Sequence, residues 1–133
     1  MADKESKKFD TSHLTAEQLA VTQQQATERP GSGAFNHNDA RGTYCCVVCG
    51  AALFSSAHKY DSGSGWPSYY QPISQTAIGE KSDHKLFMKR TEVHCATCGA
   101  HQGHLFPDGP EPTGLRYCIN SAAMTFKPED DDR

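Results

Sequence analysis

Six cysteines stand in a chain of 133 residues, and their spacing sorts them into two kinds of chemistry. Cys46-Val47-Val48-Cys49-Gly50 and Cys95-Ala96-Thr97-Cys98-Gly99 are matched C-x-x-C-G turns. Four thiolates are the number that a closed tetrahedral Zn²⁺ site uses, and two residues between cysteines let one turn aim both sulfurs at a single ion. Glycine after the second cysteine permits a left-handed backbone, which turns amide N–H groups toward the sulfurs. Iron fits the same donor set and is the chemical rival. A closed four-ligand site leaves no position for substrate, so the spacing predicts a structural clamp rather than a catalytic metal.

Cys45 and Cys118 are left over. Cys45 precedes a ligand in an extended run and reads as a small hydrophobe pointing away from the metal. Cys118 lies in Leu115-Arg116-Tyr117-Cys118-Ile119-Asn120-Ser121. As a strand, this stretch turns Leu115, Tyr117 and Ile119 to one face and Arg116, Cys118 and Asn120 to the other. Neighbours on one face of a strand sit about 7 Å apart, close enough for the Arg116 cation to favour a thiolate. Cys118 is therefore a candidate nucleophile, with a satisfied core cysteine as the other reading of this strand alone. His101-Gln102-Gly103-His104 adds two histidines with acid–base capacity near neutral pH. Trp66, the chain's one tryptophan, sits in Gly63-Ser64-Gly65-Trp66-Pro67-Ser68, where it can line a pocket or fill the core.

The elements that must carry these groups are short. Leu14-Thr15-Ala16-Glu17-Gln18-Leu19 is a complete helix start: Thr15 caps, Gln18 reciprocates, and Leu14 can pack on Leu19. The helix is expected to run to about Ala26, stopping before Arg29-Pro30-Gly31, and its thin apolar face places it at the periphery. From Gly42 onward, β-like runs alternate with turns: Tyr44–Val48, Ala52–Phe54, Tyr69–Ile73, Leu86–Arg90, Glu92–Cys95, Leu115–Ile119 and Ala123–Phe126. The sequence thus predicts a mainly β fold, antiparallel sheets clamped by a four-cysteine zinc site, with a short peripheral N-terminal helix. One domain over 14–127 is expected, between a polar tail, 1–13, and an acidic end, 128–133.

The net charge of −3 gives no basic footprint for nucleic acid, and no apolar run is long enough for a membrane helix. The charged start Met1–Lys8 lacks the apolar core of a signal peptide, so the cysteines read as those of a reducing cytoplasm.

Taken together the motifs resemble those of the B-type methionine sulfoxide reductases. The resemblance runs from about Leu14 to Phe126. It is carried by the Leu14–Thr22 opening, Ala26-Thr27-Glu28, both C-x-x-C-G turns, and Lys59-Tyr60-Asp61-Ser62-Gly63 leading into Gly65-Trp66-Pro67-Ser68. His101–Phe106, Pro107-Asp108-Gly109-Pro110 and Gly114–Ala122 complete it. The resemblance implies an oxidoreductase that reduces the R epimer of methionine sulfoxide, protein-bound or free. It implies Cys118 as nucleophile through a sulfenic acid, and Cys46, Cys49, Cys95 and Cys98 as ligands of one structural Zn²⁺. Trp66 would pack on the substrate's S-methyl group, with His101, His104, Arg116 and Asn120 around the thiol. Thioredoxin or another thiol would regenerate the enzyme, in the repair of oxidised proteins under oxidative stress.

Two positions depart from that family. Many members carry a resolving cysteine where this chain has Ser64, and a serine cannot form the disulfide. Cys45, an external thiol or a metal cysteine remain as recycling routes, of which direct attack by an external thiol is favoured. Gln102 replaces a commonly aliphatic residue, with little expected consequence. A zinc-stabilised binding module is the alternative from another class, but it gives no role to Cys118, Trp66 or the histidines.

Overall fold

The computed structural model describes residues 9–85 and 88–129, and for 83–85, 88 and 89 the backbone only. Most of the polar N-terminal stretch, Leu86 of the expected strand Leu86–Arg90 and most of the acidic end lie outside the described residues.

Among the described residues one α-helix and nine strands follow in order: α1 (Ala16–Gln24), β1 (Gly42–Cys46), β2 (Ala52–Ser55), β3 (Lys59–Tyr60), β4 (Ser68–Tyr69), β5 (Ile78–Lys85), β6 (Met88–Cys95), β7 (His101–Phe106), β8 (Arg116–Ile119) and β9 (Met124–Pro128). They form two antiparallel sheets, three-stranded β2-β1-β9 and six-stranded β3-β4-β8-β7-β6-β5. The architecture is the mainly β one expected.

The sheets meet through aromatic side chains. Tyr44 and Phe54 come from the smaller sheet, Tyr69 and Tyr117 from the larger, and all four are buried. Phe54 stacks on Tyr69 at 4.4 Å between ring centroids, and Tyr44 meets Tyr69 edge-on at 5.4 Å. Large rings in such offset and edge contacts supply most of the apolar burial a small β domain needs.

The helix begins as its sequence dictates. The Thr15 hydroxyl accepts from the Gln18 N–H at 3.1 Å, and the Gln18 carboxamide accepts from the Thr15 N–H at 2.8 Å. Leu14 is buried and Leu19 packs on the same core, as a hydrophobic staple requires. The end differs from expectation: the helix stops at Gln24 rather than near Ala26. Gln25 takes a left-handed backbone, φ 61°, its N–H donates to the Ala20 carbonyl, and its side chain donates to Glu92 at 2.9 Å. A tertiary hydrogen bond, not the downstream proline, sets this boundary.

The strand reading needs further correction. The expected Tyr69–Ile73 shortens to Ser68–Tyr69. Thr91 is no break: β6 runs through it to Cys95. β5 and β7 have no counterpart among the expected strands. β5, Ile-Gly-Glu-Lys-Ser-Asp-His-Lys, is polar because it is the last strand of its sheet. β7 contains glycine and a β-bulge, both of which disguise a strand in sequence.

Candidate active site and metal centre

The two C-x-x-C turns are structural copies. Each follows the end of a strand, β1 for Cys46 and β6 for Cys95. The Gly50 N–H donates to the Cys46 carbonyl and the Gly99 N–H to the Cys95 carbonyl, both at 2.8 Å. The glycines have φ of 83° and 82°, the left-handed region in which side chains are strained. Since β1 and β6 belong to different sheets, the cysteines join the two sheets at one corner. All four sulfurs lie within 4.8 Å of one another, with Cys46–Cys98 at 3.7 Å and Cys49–Cys95 at 3.6 Å. Sulfurs about 2.3 Å from one tetrahedral ion would stand about 3.8 Å apart, so the donor set fits a single metal. The protonation states agree. The neighbouring Cys46 and Cys98 thiols pull the Cys95 thiol down, and Cys95 in turn pushes Cys46 up. Thiols so crowded compete for one negative charge, and a divalent cation removes the competition.

Cys118 sits at the centre of the larger sheet. β8 buries Tyr117 and Ile119 and turns Arg116 and Cys118 to the opposite face, as the alternation predicts. Cys118 pairs with Ser68 of β4 on one side and His104 of β7 on the other. A pocket of about 90 Å³ lies over it, lined by Thr27, Trp66, Arg90, Gly103, His104, Phe106, Cys118 and Asn120. Trp66 is held by its indole N–H, which donates to the Glu28 carbonyl at 3.0 Å.

Of the residues the sequence proposed around the thiol, the structure brings Trp66, His104 and Asn120 to this pocket. Asn120 has both ends of its amide engaged: its oxygen accepts from the Glu28 N–H and its NH₂ donates to the Gln102 carbonyl, each at 3.0 Å. It therefore fixes the pocket wall. His101 stands behind His104, buried, with Nδ1 2.9 Å from Glu92 and its ring 5.4 Å from that of His104. Residues three apart on a regular strand face opposite ways; the bulge at Gln102 brings these two rings together. Arg116 lies outside the pocket. Its guanidinium makes a bidentate pair with Asp108, at 2.8 and 3.2 Å, and sits 4.3 Å over the Phe106 ring.

Arg116 acts on the thiol in the direction expected, but burial acts against it. Burial pushes the Cys118 thiol above its ordinary range; the Ser64 hydroxyl, 4.0 Å away, and the Arg116 charge pull it down without prevailing. Desolvation outweighs both, so the thiol form is favoured.

Three supporting carboxylates were not apparent in the sequence. Glu28, buried, accepts from the Ser121 and Ala122 N–H groups at 2.9 Å and so anchors the turn after β8. Glu92 joins Gln25 at the end of α1 to His101, and Asp108 holds Arg116. Glu28 and Asp108 lie in motifs already singled out; Glu92 gave a weak signal, a charge at a position where β6 turns inward.

A profile of the SelR domain matches residues 14–128. A Burkholderia thailandensis protein is 57% identical over 119 residues, covering 87% of this chain and 83% of its own length. One from Leptospira interrogans is 53% identical over 116 residues (87% and 88%), and one from Methanosarcina mazei 52% over 118 (89% and 84%). All three are described as peptide methionine sulfoxide reductase MsrB. The domain match and these relatives define the class: an oxidoreductase that acts on methionine sulfoxide. The chain belongs to the SelR-domain family of peptide methionine sulfoxide reductases, the MsrB enzymes.

Proposed function

We propose that this chain reduces the R epimer of methionine sulfoxide, chiefly as a residue of oxidised proteins, to methionine, and that Cys118 is the nucleophile. The observation that carries the reading is the Cys118 thiol at a pocket that the rings of Trp66, Phe106 and His104 also line.

The resting protonation of Cys118 suits the reaction. The thiol sulfur bonds to the sulfoxide sulfur, and the sulfoxide oxygen takes up one proton. The oxygen then passes to the Cys118 sulfur as methionine leaves, giving Cys–S–OH and a thioether. The oxygen and the thiol's own hydrogen both finish in the sulfenic acid, so no outside proton is consumed. His104, across the ladder from Cys118, carries that hydrogen from sulfur to oxygen. Its ring is backed by His101 and, through it, Glu92. An apolar wall for the methyl group and a donor for the oxygen, on different sides of a chiral sulfur, favour one epimer.

The placement of the other cysteines supports regeneration by an external thiol, thioredoxin or a small one. Ser64, whose hydroxyl lies 4.0 Å from the Cys118 sulfur, has no thiol to offer. Cys45 pairs with Ala52 and Thr125 in the smaller sheet and opens to a different cleft, sharing no lining residue with the Cys118 pocket. A first external thiol displaces hydroxide from the sulfenic acid as water, forming a mixed disulfide, and a second thiol releases Cys118. Cys46, Cys49, Cys95 and Cys98 would hold one Zn²⁺, which joins the sheets and takes no part in these steps. The setting proposed is protein repair in the reducing cytoplasm.

Turnover of separated R and S sulfoxides, with thioredoxin and with dithiothreitol, tests this. R-only reduction, abolished in Cys118→Ser while fold and metal persist, is the expected result. Full activity in Cys118→Ser, or equal use of both epimers, contradicts it.

A further inference from the structure

Gln102, expected to matter little, occupies an unusual place. Its side chain is fully buried, yet it is a carboxamide with two donors and an acceptor to satisfy. Its Nε2 lies 3.6 Å from the sulfur of Cys46, while its Oε1 has no hydrogen-bond partner among the described residues. An amide buried for packing alone would serve worse than leucine, because unmet polar atoms carry a desolvation cost. The opposite amide orientation would set a carbonyl oxygen against the lone pairs of a metal-bound thiolate. The NH₂ group therefore faces sulfur.

The backbone of the same residue faces the other way in function. The Gln102 carbonyl accepts from both the Asn120 N–H, at 2.9 Å, and the Asn120 side chain, at 3.0 Å. Gln102 is also the extra residue of the bulge that brings His101 and His104 together. One residue thus touches the metal corner through its side chain and the nucleophile's strand through its backbone.

We propose that Gln102 is a positioning residue of the metal centre: its carboxamide donates an N–H···S hydrogen bond to Cys46 and ties the four-cysteine cluster to the histidine-bearing strand. This rests on the reading of the four cysteines as a metal site. Cys46 is among the most deeply buried of the four, so water does not supply this donor. Drawing electron density from the thiolate stabilises an anionic donor set and makes that sulfur less open to oxidants. The latter matters in a protein whose substrates arise under oxidation.

The test uses the full-length protein and Co²⁺ as a spectroscopic stand-in for the metal. The parent is first titrated with Co²⁺; uptake of one equivalent with thiolate-to-cobalt charge transfer establishes the site, and no uptake overturns the metal reading and this inference with it. Gln102→Leu and Gln102→Met are then compared with the parent. Expected in both are metal binding weakened about ten- to hundredfold, a charge-transfer band moved to lower energy, and faster zinc release to a chromogenic chelator under peroxide. The metal-loaded variants should melt no lower than the parent, since an apolar side chain fills the site. Parent-like binding with an unmoved band would overturn the proposal. So would failure of both variants to fold, which would assign Gln102 to the core.

Discussion

At the scale of single residues, Cys118 shows how far a side chain's immediate neighbours determine its chemistry. The alternation in Leu115–Ser121 gave its face, and the structure agrees. Its protonation was not legible, because burial, which the local sequence does not show, outweighs the pull of Arg116, itself paired with Asp108 eight residues earlier in a proline-glycine loop. With the folded thiol raised, thiolate grows only as pH climbs into the alkaline range. Alkylation of Cys118 by iodoacetamide should therefore rise about tenfold per pH unit through neutrality. It should level off only above the ordinary range of a free thiol, since burial lifts Cys118 out of that range. Ser64→Ala should move the plateau further up, since the hydroxyl's hydrogen bond favours the thiolate. A plateau below pH 7 would contradict the assignment.

At the scale of elements, the strands are less regular than their sequence suggests, and the irregularities place the chemistry. The bulge in β7 reads in sequence as a polar, glycine-containing loop between metal turn and Phe106, yet it aligns two histidines. Gly103, its neighbour, lies so close to β8 that a Cβ there would run into the carbonyl oxygen of Cys118. Gly103→Ala should push the nucleophile's strand away, costing about 1–3 kcal/mol of stability and at least about tenfold in kcat; thermal melts and saturating kinetics measure both. Unchanged kcat with a parent-like melt would show that the two strands tolerate separation. The helix, legible at its start from Leu14 to Leu19, was read as peripheral. Its role lies at its other end, where Gln25 meets Glu92 and the following residues bring Thr27 to the pocket and Glu28 to the turn after β8. Contacts so distant in sequence leave no periodic trace.

At the scale of the molecule, two sheets share an aromatic interior on one side and a corner of four sulfurs on another. The sulfur corner was the most legible feature, because its two turns repeat one local motif; the pairing order of the strands was not, since it depends on contacts between remote segments. No described helix is long and apolar enough to cross a membrane. Cys98→Ser should release the metal and melt about 10 °C or more below the parent; a parent-like melt would make the corner dispensable. The central claim is that Cys118 takes the oxygen and waits for an external thiol. Its most direct test is a single turnover with one equivalent of R-methionine sulfoxide, trapping with dimedone, and peptide mass spectrometry. The account predicts dimedone on Cys118 alone and no label with the S epimer. A Cys45–Cys118 disulfide, or the label on another cysteine while R-sulfoxide is consumed, would contradict it.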